Sequence, residues 1–352
     1  MIRPALIGCA LIATLRSGAQ QALPAVNVFL GKTIGLSAQQ LAAVEHSEAV
    51  VHVLPTSDRR DVAVFGIVAV SVPRAFFAGS LTRFPESLKT PGRTGLGVFG
   101  SPASAADVEG LEVPATDLAA LRKCHTGSCE SKRSSSDMVR LRAILDSPGV
   151  ASLSRAVAYE RRRVVSTVNA YREHGNSALP VYDDFGAGGV RGGDAFTALI
   201  AETPYIFQYA PSFRQYLLDY PRERIKGASE LFYWARDELP GTRSTLSVNH
   251  LTVYSPGERP VLTIAGTKQL LADHYFEAAL DLLIALDRPT SSGQGIYVMV
   301  VREYRFDHFP PSGPMNLRSK VVGRLRDRVE ADLRRIRTEA EAAAAGQPGV
   351  LR

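Results

Sequence analysis

Two kinds of hydrophobic pattern alternate along the chain, and the first of them predicts β-strands. Residues 49–54 (AVVHVL) and 61–72 (DVAVFGIVAVSV) are valine-rich runs joined by a short segment with proline and serine. This is the pattern of a β-hairpin. Residues 245–254, 260–265 and 295–306 are further runs of β-branched and aromatic residues, separated by turn-forming residues. The pattern therefore predicts strands early and late in the chain.

Apolar residues also recur at helical spacing, which predicts one helix after the first hairpin and another at the C-terminus. Pro73 stands where a helix can begin. The apolar residues that follow it at helical intervals are Phe76, Phe77, Leu81 and Phe84. A longer stripe beyond Pro314 consists of Val322, Leu325, Val329, Leu333 and Ile336. Its steps of three and four residues predict one long amphipathic helix.

Residues 101–243 differ from both flanks, because stretches rich in proline, serine and alanine interrupt helical patterns there. We predict a mostly helical insertion. Its second half is rich in aromatic residues, namely Tyr205, Phe207, Tyr209, Phe213, Tyr216, Tyr220, Phe232, Tyr233 and Trp234. Buried tyrosine and tryptophan need hydrogen-bond partners. A packed helical core and the lining of a pocket are the two interpretations.

Residues 268–286 fit two secondary structures. With a period of two, one face carries Leu270, Ala272, His274, Phe276, Ala278, Leu280, Leu282, Ile284 and Leu286. The opposite face carries Asp273, Glu277 and Asp281, with Asp287 just beyond. With a period of 3.6, an equally continuous stripe contains Ala272, Tyr275, Phe276, Ala279, Leu280 and Leu283. The pattern alone leaves strand and helix open.

The order of these elements resembles the START-like superfamily, whose members have a helix-grip fold. A strand (DVAVFGIVAVSV) leads into an amphipathic helix (RAFFAGSLTRF), and a late strand (GIYVMVVREYRFD) leads into the C-terminal helix. The resemblance implies an α+β fold in which a curved antiparallel sheet wraps the long C-terminal helix and leaves an apolar cavity. It also implies that residues 268–286 form one strand, bent or bulged midway. The chain also resembles a group of exported bacterial proteins that carry a Cys-x4-Cys segment and a late His-Tyr-Phe stretch.

The predicted organisation combines this resemblance with the residue patterns. Its parts are a signal peptide (1–19), the first part of a helix-grip domain (20–100), a mostly helical insertion (101–243), the remaining strands and C-terminal helix (244–340), and a flexible tail (341–352).

The N-terminus predicts export to the periplasm or the extracellular space. Arg3 precedes the apolar run 5–15 (ALIGCALIATL), and Ser17, Gly18 and Ala19 supply the small residues of a cleavage site. A buried N-terminal strand or helix is the alternative. Elsewhere, no apolar run reaches the roughly 18 residues that a membrane-spanning helix requires.

Cleavage after Ala19 leaves two cysteines, Cys124 and Cys129. An even number of cysteines in an exported protein predicts a disulfide. The alternatives are free thiols and a redox or metal pair assisted by His125, although the spacing is not that of a known redox or haem-attachment motif.

The net charge at first suggests nucleic acid. The chain has 41 Lys and Arg against 35 Asp and Glu, a formal charge of +6. It has one tryptophan, no basic block of five to eight residues and no nucleic-acid-binding motif, so we expect no nucleic-acid partner. Eight basic and three acidic residues lie between positions 318 and 337. Such a helix face is usually only solvated, but near an anionic membrane it would favour peripheral contact.

Two histidines are the best candidates for chemistry. If residues 268–286 are a strand, His274 is the polar side chain on an apolar face and points into the cavity, where His250 approaches it. Such a pair suits a ligand headgroup, a metal or haem, or acid–base catalysis. Two hydrogen-bonded core histidines are the alternative. With Tyr254, Phe276 and Tyr304 they form the predicted ligand-binding set.

We therefore expect an exported, non-catalytic protein that binds a lipid or another apolar small molecule, with no cofactor and no metal. One alternative is a cyclase- or hydrolase-like enzyme that uses His250 and His274 as acid and base. No G-x-S-x-G or H-E-x-x-H motif supports a specific reaction. The other alternative is a structural or partner-binding envelope protein whose helical insertion offers an interaction surface.

Overall fold

A computed structural model describes residues 25–84, 86–147, 151–186, 188–238, 243–256, 262–288, 295–309 and 316–346. The predicted signal peptide, residues 1–19, lies outside these ranges. The protein has an α+β fold, as predicted, with one large antiparallel sheet and helices on both of its faces.

The helices lie mainly between the early and the late strands. They are α1 (Val26–Val28), which continues as a π-helical segment (Phe29–Ile34), α2 (Ala38–Glu45), α3 (Arg74–Leu81), α4 (Ala115–Leu121), α5 (Ser135–Leu145), α6 (Ala151–His174), α7 (Gly192–Glu202), α8 (Pro211–Asp219) and α9 (Leu317–Ala344). Short 3₁₀ turns occupy Glu86–Leu88, Ala105–Val108, Gly175–Ala178 and Pro204–Tyr209. The long C-terminal helix is therefore confirmed as α9, and it includes residues 341–344 of the predicted tail.

The strands are β1 (Val50–Leu54), β2 (Asp61–Val70), β3 (Arg93–Val98), β4 (Val181–Tyr182), β5 (Val190–Arg191), β6 (Ser229–Asp237), β7 (Thr245–Tyr254), β8 (Leu262–Ala272), β9 (Phe276–Asp287) and β10 (Ile296–Phe306). Eight of them form the sheet, in the order β1-β2-β10-β9-β8-β7-β6-β3. Each neighbouring pair is antiparallel, and the sheet ends at β1 and β3 rather than closing.

The expected single strand over residues 268–286 is wrong. The chain reverses at residues 273–275, so β8 and β9 are two antiparallel strands paired from Leu262 against Leu286 to Lys268 against Leu280. Tyr275 adopts φ = +64°, a left-handed conformation that a tight reversal needs. A period of two continues through such a turn, which is why the pattern looked like one strand.

The insertion also ends earlier than predicted. Strand β6 lies within residues 101–243, yet it pairs with β3 and β7 inside the main sheet. Its hydrophobic and aromatic residues fill sheet positions, whereas the helical part ends with α8.

The two faces of the sheet are covered differently. Helices α6 and α7 pack against β8, β9 and β10 on one face, together with the aromatic residues of the insertion. On the other face α9 lies over β1 and β2, and α3 reaches β8 and β9. These two helices therefore cover the second face only in part.

Candidate functional site

A large groove lies over the partly covered face of the sheet. Eight strands span roughly 34 Å at a spacing of about 4.8 Å, whereas one helix is only about 10–12 Å wide. Because α9 lies over one side of the sheet and α3 over a short section, an open volume of about 1760 Å³ remains between them. We call this volume the groove.

The walls of the groove are mostly apolar. They include Phe76, Phe77, Leu81 and Leu88 from α3 and the turn after it, Leu251, Ala265, Leu283 and Val300 from the sheet, and Val321, Leu325, Ile336 and Ala340 from α9. These residues come from segments far apart in the sequence, so the groove exists only in the folded chain.

Polar side chains lie on the floor, on five adjacent strands. They are Tyr233 on β6, Asn249 on β7, Thr267 and Gln269 on β8, Asp281 on β9, and Arg302 and Tyr304 on β10. Side chains two residues apart on a strand lie on the same face. The polar residues of β7, β8, β9 and β10 therefore share the groove face with Leu251, Ala265, Leu283 and Val300. Burial raises the pKa of Tyr233 to about 12, so its hydroxyl stays protonated and can donate a hydrogen bond at neutral pH.

Asp281 is at the centre of this polar floor. The Tyr304 hydroxyl donates a 2.9 Å hydrogen bond to Asp281 Oδ1. Arg302 Nε lies 3.9 Å from the same oxygen, and Arg302 Nη2 donates to Asp332 Oδ2 of α9 at 2.6 Å. The arginine therefore joins the floor of the groove to its helical wall.

The Asp281 carboxylate faces the groove while protein surrounds it. Its side chain is 44% exposed. Burial among protein atoms nevertheless raises its pKa, and the nearby Arg302 and Tyr304 oppose that rise. Asp281 is exposed only toward the groove, and protein atoms surround it on the other sides, which is why burial still affects its pKa. Asp281 thus offers a carboxyl group that can accept a hydrogen bond or, when protonated, donate one.

A disulfide loop and a buried ion pair form one end of the groove. The sulfur atoms of Cys124 and Cys129 lie at disulfide-bonding distance, as predicted. Gly127 N donates to Asp183 O at 2.7 Å, and Lys132 Nζ donates to Asp184 Oδ2 at 2.9 Å with both side chains almost fully buried. These contacts hold the loop against the segment that follows β4.

Three of the five predicted ligand-binding residues line the groove, namely His274, Phe276 and Tyr304. His274 lies in the turn between β8 and β9 rather than on an apolar strand face. Tyr254 is half-buried and packs with the core on the opposite face of the sheet.

His250 also lies on that opposite face. Its ring stacks on Phe232 with the centroids 4.2 Å apart, and its Nε2 is 3.3 Å from the Tyr216 hydroxyl. Burial, with the charge of Lys268, lowers the pKa of His250 well below its usual range, so the ring is neutral. His250 is a core histidine, and the structure does not bring it together with His274. The predicted convergence of the two imidazoles is therefore wrong.

Most of the aromatic cluster belongs to the same core. Tyr216, Tyr220 and Phe213 pack among α6, α8 and the sheet, away from the groove. Tyr233 is the exception, because it points from β6 onto the groove floor. The packed-core interpretation holds for the cluster as a whole, with Tyr233 as a pocket residue.

The sequence reasoning missed Asp281 and Arg302. A signal was present, since the alternation in residues 268–286 set Asp281 apart from the apolar face. The apolar face, with His274, was instead expected to line the cavity. In the structure most of the apolar face packs against the helical insertion, because α6 and α7 cover it. His274 and Phe276 are the exceptions, since both line the groove.

The basic residues of α9 are mostly engaged with carboxylates. Pairs four residues apart join Arg328 to Asp332, Arg334 to Glu330, Arg335 to Glu339 and Arg337 to Glu341. Arg318 donates instead to the backbone oxygens of Arg59 and Asp61. The helix carries less free positive charge than its composition suggests.

One group of potential metal ligands converges within the described ranges. Asp117, Asp273 and His274 each place a ligand atom within 4.8 Å of the other two. This group lies where α4 meets the turn between β8 and β9, next to the groove wall.

No protein-family model and no curated protein matches the sequence. Among the residues that the structure describes, none of the helices is both long and apolar enough to cross a membrane.

Proposed function

We propose that the protein is a non-catalytic carrier or receptor that binds a lipid or another largely apolar small molecule in the groove. The observation that carries the proposal is a volume of about 1760 Å³ with apolar walls and a small set of polar groups on its floor. Ligand pockets commonly measure about 300–1,000 Å³ and combine apolar walls with a few orienting polar groups. The larger volume here favours a long or bulky ligand.

The polar floor supports a ligand with one polar end. Asp281, Tyr304 and Tyr233 offer hydrogen-bonding groups at the sheet, while α3 and α9 offer apolar surface above it. Placing an alkyl chain against these walls would gain roughly 25 cal/mol for each Å² of apolar surface removed from water. The polar end of the ligand would keep its hydrogen bonds at the floor.

A relationship to the helix-grip fold is part of the proposal. It is supported by an antiparallel sheet with the C-terminal helix on one face and an open volume between the two. Export is also proposed. The disulfide pair supports it, because disulfides persist in oxidising compartments.

Peripheral membrane contact belongs to the same proposal. Lys320, Arg324, Arg326 and Arg334 of α9 are exposed, and the last two also pair with Asp327 and Glu330. A basic residue near an anionic surface contributes about 1 kcal/mol to binding. Sedimentation with anionic and neutral vesicles at low and high salt tests this contact separately from ligand binding.

The enzyme alternative loses its basis, because His250 and His274 do not share a site. Binding in the groove is tested by organic extraction and mass spectrometry of the purified protein, and by titration with the apolar fluorescent probe N-phenyl-1-naphthylamine. We expect a co-purifying apolar molecule and saturable binding of the probe.

Variants locate the binding. Ala279→Trp fills the groove floor beside Asp281 and should weaken probe binding at least tenfold. Ala198→Trp, at an exposed position of α7 on the other face of the sheet, is the matched control and should bind like the wild type. A protein that yields no apolar molecule, and whose probe affinity is unchanged by Ala279→Trp, would overturn the proposal.

A further inference from the structure

The turn between β8 and β9 brings two ligand-type side chains against a third from the insertion. Asp273 and His274 belong to the turn, and Asp117 lies in the first turn of α4. One atom from each lies within 4.8 Å of the other two. Tetrahedral ligands about 2.0–2.1 Å from a zinc ion are about 3.3 Å apart, so a cation would draw the three together by about 1.5 Å at most.

His274 is held in the orientation of a metal ligand. Its Nδ1 lies 2.8 Å from the backbone oxygen of Glu130. A carbonyl only accepts hydrogen bonds, so Nδ1 carries the proton and Nε2 presents its lone pair. This is the arrangement in which protein histidines usually bind metals, with the second nitrogen donating to a carbonyl or carboxylate.

The free nitrogen of His274 has nothing to satisfy it. The residue is only 2% exposed, and Nε2 is buried without a hydrogen-bond partner among the described residues. Leaving a buried acceptor unpaired is unfavourable. The carboxylates of Asp117 and Asp273 lie close to the same ring and are also acceptors, so a cation or a bridging donor is what could satisfy all three.

The carboxylates are fixed by contacts of their own. Leu246 N donates to Asp273 Oδ1 at 2.8 Å, which leaves the other oxygen available. Lys132 N and Ser131 Oγ donate to the Asp273 carbonyl at 2.7 and 3.0 Å, and so hold the turn against the insertion. The site is therefore built into the backbone framework rather than formed by mobile surface side chains.

A nearby cation competes for the Asp117 carboxylate. Arg243 Nη1 lies 3.8 Å from Asp117 Oδ1. Its side chain is 44% exposed and also contacts Glu130, so it can move away when a metal binds. A variant that lacks the Arg243 charge should therefore bind a metal cation more tightly than the wild type.

We propose that His274 Nε2, Asp273 and Asp117 bind a divalent transition-metal cation, with Zn²⁺ and Mn²⁺ the best matches to one imidazole and two carboxylates. Imidazole suits Zn²⁺, whereas carboxylates also suit Mn²⁺. The cation joins α4 and the disulfide loop to the sheet where His274 lines the groove. Three protein ligands leave at least one coordination position free.

Isothermal titration of the EDTA-treated, dialysed protein tests the proposal, with Zn²⁺, Mn²⁺, Mg²⁺ and Ca²⁺ in separate runs. We expect one high-affinity Zn²⁺ or Mn²⁺ per chain and weaker binding of Mg²⁺ and Ca²⁺. His274→Gln and Asp117→Asn should each weaken binding at least tenfold, and Arg243→Gln should tighten it several-fold. His308→Gln removes an exposed histidine at the groove end and should leave the affinity unchanged.

Two measurements keep the result interpretable. Asp117→Asn changes a partly buried position with little risk to folding, and near-UV circular dichroism checks each variant. In the wild type, Co²⁺ should give visible absorption bands of a four- or five-coordinate site, which Asp117→Asn should weaken. Binding that no variant changes, or that His308→Gln abolishes, means adventitious surface binding and overturns the proposal. No binding below millimolar concentrations overturns it as well. Neither outcome bears on apolar ligand binding, which uses a different probe.

Discussion

Gly66 of β2 lies directly beneath Val329 of α9. A Cβ atom on Gly66 would be 2.5 Å from Val329 Cγ1 and 2.7 Å from Leu333 Cδ1. Both α9 residues are fully buried against the sheet. The glycine therefore sets how closely the C-terminal helix approaches the sheet, and the helix in turn forms one wall of the groove.

Gly66→Ala should displace α9 and destabilise the protein. The neighbouring atoms belong to buried branched side chains on a helix, and overpacking of this kind costs about 1–3 kcal/mol. Urea unfolding followed by circular dichroism measures the change. Gly323→Ala on α9 is the control, since a Cβ there meets nothing within 4 Å and should stabilise the helix by about 0.5–1 kcal/mol. Equal stability of Gly66→Ala and the wild type would contradict this assignment.

The sequence was sufficient to predict the local elements. Runs of β-branched and aromatic residues predicted β1, β2, β7 and β10, of which β2, β7 and β10 are buried on both faces. The apolar stripe at steps of three and four residues predicted α9.

The sequence pattern could not predict which strands pair over long range or which face of the sheet a residue occupies. The turn at residues 273–275 preserves the alternation of two, so nothing in the pattern marks where β8 ends and β9 begins. Both faces of this sheet are largely buried, one by the insertion and the other by α9 and α3. Alternation therefore could not show that Asp281 faces a groove and that His250 faces a core. Those assignments depend on which helix covers which face.

Asp281→Asn should change the pH dependence of binding of an anionic apolar probe. Burial raises the pKa of the wild-type carboxyl. As pH falls through this raised pKa the carboxylate becomes neutral and stops repelling the anion, so the wild type should bind a fluorescent fatty acid more tightly at low pH. The asparagine variant carries no charge and should bind about fivefold to tenfold more tightly than the wild type at pH 8.

A neutral probe provides the comparison. N-phenyl-1-naphthylamine has no negative charge, so its affinity should differ little between the wild type and Asp281→Asn at pH 8. If the variant and the wild type bind the fatty acid with the same affinity at pH 8, Asp281 does not face the bound headgroup.

Glu277→Gln should stabilise the protein at alkaline but not at acidic pH. Burial raises the pKa of Glu277 from 4.5 to about 7, against the favourable charges of Lys132 and Arg60. Between these two values the folded state binds more protons than the unfolded state, so wild-type stability falls as pH rises through that window. At pH 8 the buried charge of Glu277 lowers the free energy of unfolding by on the order of 1–3 kcal/mol.

Chemical unfolding at pH 5 and pH 8 measures this effect. At pH 5 the carboxyl is neutral in the folded wild type, so the two proteins should be similarly stable. At pH 8 Glu277→Gln should be more stable, and Gln can still accept the hydrogen bond that Arg60 donates at 3.3 Å. Burial also raises the pKa of Asp61 to about 6, so the stability of both proteins still falls somewhat as pH rises through this range. A stability difference that is the same at both pH values would rule out this role for Glu277.

Removing the disulfide should cost about 2 kcal/mol, because Cys124 and Cys129 close a short loop that restricts the unfolded chain only modestly. The double variant Cys124→Ser, Cys129→Ser should unfold at correspondingly lower urea concentration, and the wild type treated with dithiothreitol should match it. Folding should survive, since the backbone bonds of Gly127 and Cys129 to Asp183 and Asp184 still hold the loop. Binding of N-phenyl-1-naphthylamine should weaken at the same time, because the loop lines the groove. Reduced wild-type protein that is as stable as the oxidised form would show that the loop is held by its hydrogen bonds alone.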